Sequence, residues 1–284
     1  MESYKLIPYG ISDFAQVRRE DKYYADKTMY LPKMEAAGNF LFLIRPRRFG
    51  KSLFLSMMRY YYDINERDNF GGLFSGLWIE KNPTPLMGTF QVLYLDFSQV
   101  GGDMNNLFDR FNSRTGAVLD GFARRYEKFY YDGFAKDVES RSDFRSKLDL
   151  ITIRAREFGH HLYLIVDEYD NFTNTVLNVA GEEVYHAMTH AEGFYRDVFK
   201  LFKPNFDRIL MMGVSPVTMD DVTSGYNIAT SLTLAPEFNM MLGFSETEVR
   251  EMIRYYQGVG ALKADEDALI DEMKPWYDGY CFSR

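Results

Sequence analysis

Five apolar residues, Phe40-Leu41-Phe42-Leu43-Ile44, run straight into the octapeptide Arg45-Pro46-Arg47-Arg48-Phe49-Gly50-Lys51-Ser52, after which helical spacing extends to about residue 62. A short apolar run bounded by turn residues reads as a buried strand. The chain must therefore leave a sheet, turn tightly and begin a helix at once. The spacing approaches G-x-x-x-x-G-K-[ST], in which backbone N–H groups cradle phosphates, the lysine reaches β and γ oxygens and the hydroxyl ligates Mg²⁺. Gly50, Lys51 and Ser52 fit that pattern, whereas Arg45 stands where the first glycine is expected.

The departure is tolerable on physical grounds. The second glycine lies where the backbone comes closest to phosphate, while the first eases the turn out of the strand. Pro46 presets one backbone angle and takes over part of that turn preference. Three arginines add positive charge that suits phosphate oxygens. The expected nucleotide-binding segment is accordingly Arg45, Pro46, Arg47, Arg48, Phe49, Gly50, Lys51, Ser52 and Leu53. The competing view is a basic loop that merely resembles the motif.

Further strand-like runs occur at 91–97, 162–166 and 209–214, with a weaker one around 231–234, and helical spacing fills 104–130, 141–158 and 182–202. Strands alternating with helices predict an α/β fold with a parallel sheet covered on both faces and a ligand site at the strands' C-terminal edge. After about residue 240 the pattern changes. Ser245-Glu246-Thr247-Glu248 has capping-box spacing and predicts a helix over 246–256, and Ala264 to Lys274 predicts another ending before Pro275. The expected division is a core with an N-terminal extension over 1–240 and a small helical lid over 241–284.

The run Leu162-Tyr163-Leu164-Ile165-Val166 ends in Asp167-Glu168. This has the form of a Walker B strand, with an aspartate for the Mg²⁺ shell opposite Ser52 and a glutamate able to polarise a water. Buried strands also end in acidic residues for solubility alone, but the pairing with an upstream Gly-Lys-Ser loop favours the nucleotide reading. ATPases with an extra strand between the loop and the acidic strand generally carry that glutamate, and 91–97 is the candidate for it. The run at 209–214 leads into Ser215-Pro216, which puts a hydroxyl at the sheet edge, though Ser-Pro is also ordinary turn chemistry.

Composition narrows the class. Forty-one acidic against 33 basic residues give a net charge of −8, which does not suggest a general polyanion-binding surface. The single cysteine, Cys281, allows no internal disulfide. No signal-like or membrane-spanning apolar run is evident, so the expectation is a soluble cytoplasmic protein with no membrane partner. His186 and His190 lack the glutamate of a zinc-protease motif, His160-His161 reads as a turn, and Arg124, Arg125 and Lys128 read as a solvated helix face.

Together these residues resemble the AAA-ATPase-like family of bacterial proteins, in which a P-loop ATPase domain commonly precedes a PD-(D/E)XK nuclease-like domain. The resemblance begins at Ile7-Pro8-Tyr9-Gly10-Ile11-Ser12-Asp13-Phe14 and Tyr24-Ala25-Asp26-Lys27-Thr28, and passes through Arg45–Leu53, Asp167-Glu168-Tyr169-Asp170 and Gly213-Val214-Ser215. It ends at Phe244-Ser245 onward and Trp276-Tyr277-Asp278-Gly279-Tyr280. An arginine at the first glycine position is usual in that family. The resemblance implies a P-loop NTPase-type sheet using ATP and Mg²⁺, with Lys51, Glu168 and Ser215 catalytic and Ser52 and Asp167 on the metal. Arg47 or Arg48 would stabilise charge in cis or reach a neighbour's nucleotide, so a homo-oligomer stays open. Asp26-Lys27-Thr28 would lie near the base or ribose. Asn171 departs from the basic residue expected there. No trusted D…[DE]-x-K cluster is present, so the nuclease-like effector, or nucleic acid reached through it, would be a partner outside these residues. The alternative to an ATPase is a nucleotide-dependent switch or scaffold with little turnover.

Overall fold

The computed structural model describes residues 4–98, 107–181, 183, 186, 194–215, 229–277 and 282. Strands β1 (Phe40–Ile44), β2 (Phe90–Asp96), β3 (His161–Asp167), β4 (Arg208–Gly213) and β5 (Thr230–Ser231) form one sheet in the order β2-β3-β4-β1-β5. Every pairing is parallel. The α/β expectation therefore holds, with each long strand within a residue or two of its predicted bounds. The weak run near 231–234 yields only the two-residue β5.

One expectation is corrected. The strand sought between the loop and the acidic strand at 91–97 is found as β2, but β2 lies on the far side of β3, paired with it from Phe90↔His161 to Asp96↔Asp167. The strand that separates β1 from β3 is β4. The chain order of strands does not fix their order in a sheet, because a long helical crossover can return the chain to either neighbour. Here α6 (Leu107–Tyr126), α7 (Phe134–Glu139) and α8 (Phe144–Glu157) carry it from β2 back beside β2, and β4 then enters on the inner side.

Period-two alternation sorts the strand residues between two cores. Leu93, Leu95, Leu162, Leu164, Val166, Ile209 and Met211 pack with α6, α7, α8, α9 (Asn171–Ala180) and α10 (Phe194–Phe202). Leu41, Leu43, Val92, Ile165, Leu210 and Met212 pack on the other face with α1 (Phe14–Arg19), α2 (Tyr30–Ala37), α3 (Lys51–Tyr62) and the one-turn helices α4 (Phe70–Leu73) and α5 (Trp78–Lys81). Each such aliphatic side chain contributes roughly 1.5–3 kcal/mol by leaving water. A sheet buried on both faces has only its strand ends left for polar chemistry.

After β5 the chain forms the helices α11 (Glu246–Gly258) and α12 (Glu266–Tyr277). The predicted Ser245–Glu248 capping box is present. The second helix, expected to stop at Lys274, instead runs through Pro275 to Tyr277. Proline at that point withholds a single donor from the final turn, a smaller cost than in a helix interior. The N-terminal segment fastens this pair. The Lys5 N–H donates to the Tyr255 hydroxyl at 2.7 Å, the Tyr256 hydroxyl donates to the Lys5 carbonyl at 2.7 Å, and Lys27 Nζ meets Glu248 Oε1 at 2.5 Å.

Candidate functional site

The loop leaving β1 turns through two left-handed residues, Arg48 at φ 69° and Gly50 at φ 83°. A Cβ at position 50 would meet no protein atom within 4 Å, so the need for glycine is conformational rather than one of internal crowding. Gly50 is followed at once by α3, which has no side-chain cap. Its first N–H groups are thus left for an external acceptor, and the helix dipole favours an anion there. Lys51 is buried, with Nζ donating to the loop carbonyls of Arg45 at 3.2 Å and Pro46 at 3.0 Å. Its ammonium spans the loop rather than pointing into solvent. Arg47 and Arg48 are exposed on the same loop, Phe49 is half-buried, and Leu53 packs against the α3 core.

Across the sheet edge, β3 delivers Asp167. The Ser52 hydroxyl donates to Asp167 Oδ2 at 2.6 Å, although 115 residues separate the two in sequence. The next residue, Glu168, takes a left-handed backbone at φ 52°, and its N–H donates to Asp167 Oδ1 at 3.0 Å. That turn, strained for a residue with a Cβ, separates the directions of four successive side chains. Ser215 lies at the end of β4, between the loop strand and the acidic strand. The structure therefore brings Lys51, Ser52, Asp167, Glu168 and Ser215 to one edge of the sheet.

Burial shapes the charges there. Asp167 has its pKa raised mainly by desolvation, which outweighs the hydrogen bonds from Ser52 and Tyr94. Glu168 is raised by burial first, then by the neighbouring charges of Asp167 and Asp96. Lys51 is lowered by burial, against the opposing pull of Asp167, Glu168 and Asp170. Each group is thus less comfortable in its charged form than in water, the condition under which an added polyanion and cation are favoured. Ser52 Oγ and Asp167 Oδ2 are hard oxygen donors suited to Mg²⁺, which takes few protein ligands and completes its shell with water and phosphate oxygens. Among the described residues no group of three His, Cys, Asp or Glu is placed to hold a metal ion.

Arg45 behaves otherwise than expected. Its guanidinium is fully buried and donates to the carbonyls of Ile44 (2.9 Å), Thr233 (2.9 Å) and Phe238 (3.2 Å). The Phe282 ring covers it at 4.2 Å. Burial lowers its pKa to about 10. Its side chain stitches the loop to the segment after β5. Lys27, expected near the base or ribose, is likewise engaged by Glu248 and the Met240 carbonyl at 2.8 Å. Asp26 accepts from the Thr28 and Trp78 N–H groups. Arg125, read as part of a solvated face, pairs with the buried Asp63 at 2.7 Å. Asn171 donates to the carbonyls of Phe97 and Ser98, both at 3.1 Å, and so ties the end of β2 to the turn after β3. His160 bonds the Phe129 carbonyl and His161 opens β3. His190 and Cys281 lie outside the described residues.

Two residues escaped sequence reasoning. Tyr94 on β2 donates to Asp167 Oδ2 at 3.0 Å, yet a tyrosine in an apolar strand reads as packing. Asp170 is 2% exposed and accepts from the Ser215 N–H at 2.6 Å. The signal available was the third acid of Asp167-Glu168-Tyr169-Asp170, one more than the metal and water roles call for.

Comparison with known proteins adds three findings. A family model described as Predicted AAA-ATPase matches residues 8–223. A protein of Azotobacter chroococcum mcd 1, described as "Uncharacterized protein in vnfD 5'region", is 27% identical over 291 residues, covering 98% of this chain and 49% of its own length. The chain thus spans about half the length of that relative. The ORC2 protein of Aeropyrum pernix, solved in ADPNP–ADP complexes, aligns over 90% of this chain and 55% of its own at 11% identity and a TM-score of 0.35, a likeness too loose to carry an argument.

Proposed function

The chain belongs to the AAA-ATPase-like family of predicted ATPases, and we propose that it binds ATP with Mg²⁺ at the β1–α3 loop and hydrolyses it. The observation that carries this is the 2.6 Å bond from the Ser52 hydroxyl to Asp167. It joins the loop's hydroxyl to the acidic strand in the arrangement the chemistry needs.

The roles follow from the geometry. Lys51 and the uncapped N–H groups of α3 hold β and γ phosphate oxygens, the lysine exchanging the carbonyls of Arg45 and Pro46 for anionic partners. Backbone amides from Pro46 to Leu53 form the cradle, with only the amide of Pro46 lacking a donor. Ser52 and Asp167 would hold Mg²⁺, which when bound would neutralise phosphate charge. Glu168, with a pKa already raised by burial, accepts a proton from or orients the attacking water. Ser215 at the end of β4 contacts the γ-phosphate or that water. Arg47, whose charge acts on both Lys51 and Glu168, offsets charge developing in the same molecule in this reading. The helices α11 and α12 act as a lid, tied to the N-terminal segment through Lys27 and Glu248. A nuclease-like effector driven or regulated by this unit would lie in sequence beyond these residues.

Steady-state hydrolysis and ATP affinity of the native chain and of Glu168→Gln test the proposal. Turnover is expected to fall by about 10²–10⁴-fold in the variant, with affinity retained. Tight binding with negligible turnover in both proteins would establish the switch instead. No binding of ATP, ADP or GTP would remove both.

A further inference from the structure

We propose that Asp170 is a positioning residue that holds Ser215 at the phosphate edge, an inference that rests on the role of Ser215 given above. The buried Asp170 carboxylate accepts from two successive backbone N–H groups at the end of β4: Oδ2 from Ser215 at 2.6 Å and from Val214 at 3.1 Å, with Oδ1 3.2 Å from Val214. Asn174 Nδ2 donates to Oδ2 at 3.2 Å. The Tyr169 hydroxyl donates to the Ser215 carbonyl at 2.8 Å, so both backbone polar groups of Ser215 are held from the turn after β3.

The approach depends on a particular neighbour. A Cβ on Gly213 would stand 2.5 Å from Asp170 Oδ1 and 2.5 Å from Tyr169 Cε1. Only glycine lets the turn after β3 close on β4 this tightly. A charged acceptor suits the task, because hydrogen bonds to an ionised group are roughly twice as strong as neutral ones and two converging N–H groups form a small anion-binding concavity.

The four residues Asp167 to Asp170 thereby divide the work of one turn. Asp167 faces Ser52, and the left-handed Glu168 reverses the chain. Tyr169 and Asp170 then reach β4. The turn that carries the water-handling carboxylate thus also holds both backbone polar groups of Ser215, so a shift of one is passed to the other. Misplacement of a catalytic group by about 1 Å can cost about 10²-fold in rate.

The test uses the full chain with Asp170→Ala, Asp170→Asn, Ser215→Ala and the double variant Asp170→Ala/Ser215→Ala. Each is measured for ATP affinity, turnover per nucleotide-binding site, melting temperature and hydrogen exchange of amides 214 and 215. Asp170→Ala is expected to lower turnover roughly 10- to 100-fold, to about the level of Ser215→Ala, with affinity little changed. The double variant should fall no further than either single one. Exchange at 214 and 215 should accelerate, and Asp170→Asn, whose amide oxygen can still accept from Ser215, should recover part of both effects. A variant with a lower melting temperature but unchanged turnover per binding site would reduce Asp170 to a structural prop and overturn the inference. Losses that multiply in the double variant would overturn it as well. If the native chain binds ATP without turnover, or Ser215→Ala leaves turnover unchanged, the catalytic reading fails and takes this inference with it. Unaltered exchange at the two amides would sink the clamp alone.

Discussion

The sheet edge proposed to hold phosphate and the α11–α12 pair use the same residue types and treat them in opposite ways. At the edge, Asp167 and Glu168 are pushed up and Lys51 and Arg45 down, because burial outweighs every opposite charge nearby. On the helices, Glu266 is pulled down to about 2 by hydrogen bonds from Arg254 and Arg250, while those arginines are pushed up. Arg250 Nη1 reaches Glu266 at 2.8 Å and Asp267 at 2.7 Å, and Arg254 Nε reaches Glu266 at 2.7 Å. The helix charges are matched by direct ion pairs, whereas the edge charges are for the most part more deeply buried and incompletely matched. Structural ion pairs settle into the first condition. A site that must welcome a charged visitor is built in the second.

The largest effect should come from restoring the familiar loop pattern. Arg45→Gly gives G-x-x-x-x-G-K-S, yet it strips donors from the carbonyls of Ile44, Thr233 and Phe238 and adds backbone freedom. The expected loss is about 2–4 kcal/mol of stability, read as a lower urea midpoint, with ATP affinity retained by Lys51 and the α3 amides. A variant as stable as the native chain but unable to bind ATP would mean that Arg45 serves the phosphates after all and does not belong with the structural contacts of the loop.

That substitution also marks where sequence reasoning stopped. The strands were legible because alternation on a doubly covered sheet leaves apolar runs, and β1 matches its predicted bounds residue for residue. The loop and Asp167-Glu168 were legible because their chemistry is local: a glycine, a lysine and a hydroxyl in a row, and two acids at a strand end. Arg45 was not, because its direction depends on where Thr233 and Phe238 fall, some 190 residues away. The Asp170–Ser215 contact and the placing of β4 between β1 and β3 are likewise facts of sheet order. Nothing within a strand records which neighbour it will meet.

A smaller effect separates the two regions by the sign of its pH dependence. Because the folded pKa of Asp167 lies above its ordinary 3.8, the native state keeps a proton that the unfolded chain has released. Stability from this group therefore falls as pH rises from about 4 through the folded value. In magnesium-free buffer, Asp167→Asn removes that penalty and keeps an acceptor for Ser52 and Tyr94. The variant should match or exceed the native chain in urea midpoint at neutral pH, with the advantage shrinking toward pH 4. A variant clearly weaker at neutral pH would show that pairing, not burial, governs the edge.

Glu266 should show the opposite slope and the least amplitude. Its folded pKa of about 2 lies below the ordinary 4.5, so the folded chain releases its proton first. Its contribution is complete above pH 4.5 and disappears as pH falls toward 2. Exposed pairs are screened by salt and offset by the entropy of ordering long side chains. Glu266→Gln should therefore lower the urea midpoint only slightly at neutral pH and low salt, and the difference should vanish both in high salt and near pH 2. A large, salt-resistant loss would mean that the Arg250–Arg254–Glu266 cluster is shielded from water by some further contact. The helix pair would then resemble the phosphate edge in its electrostatics, and burial rather than matching would set the charges in both regions.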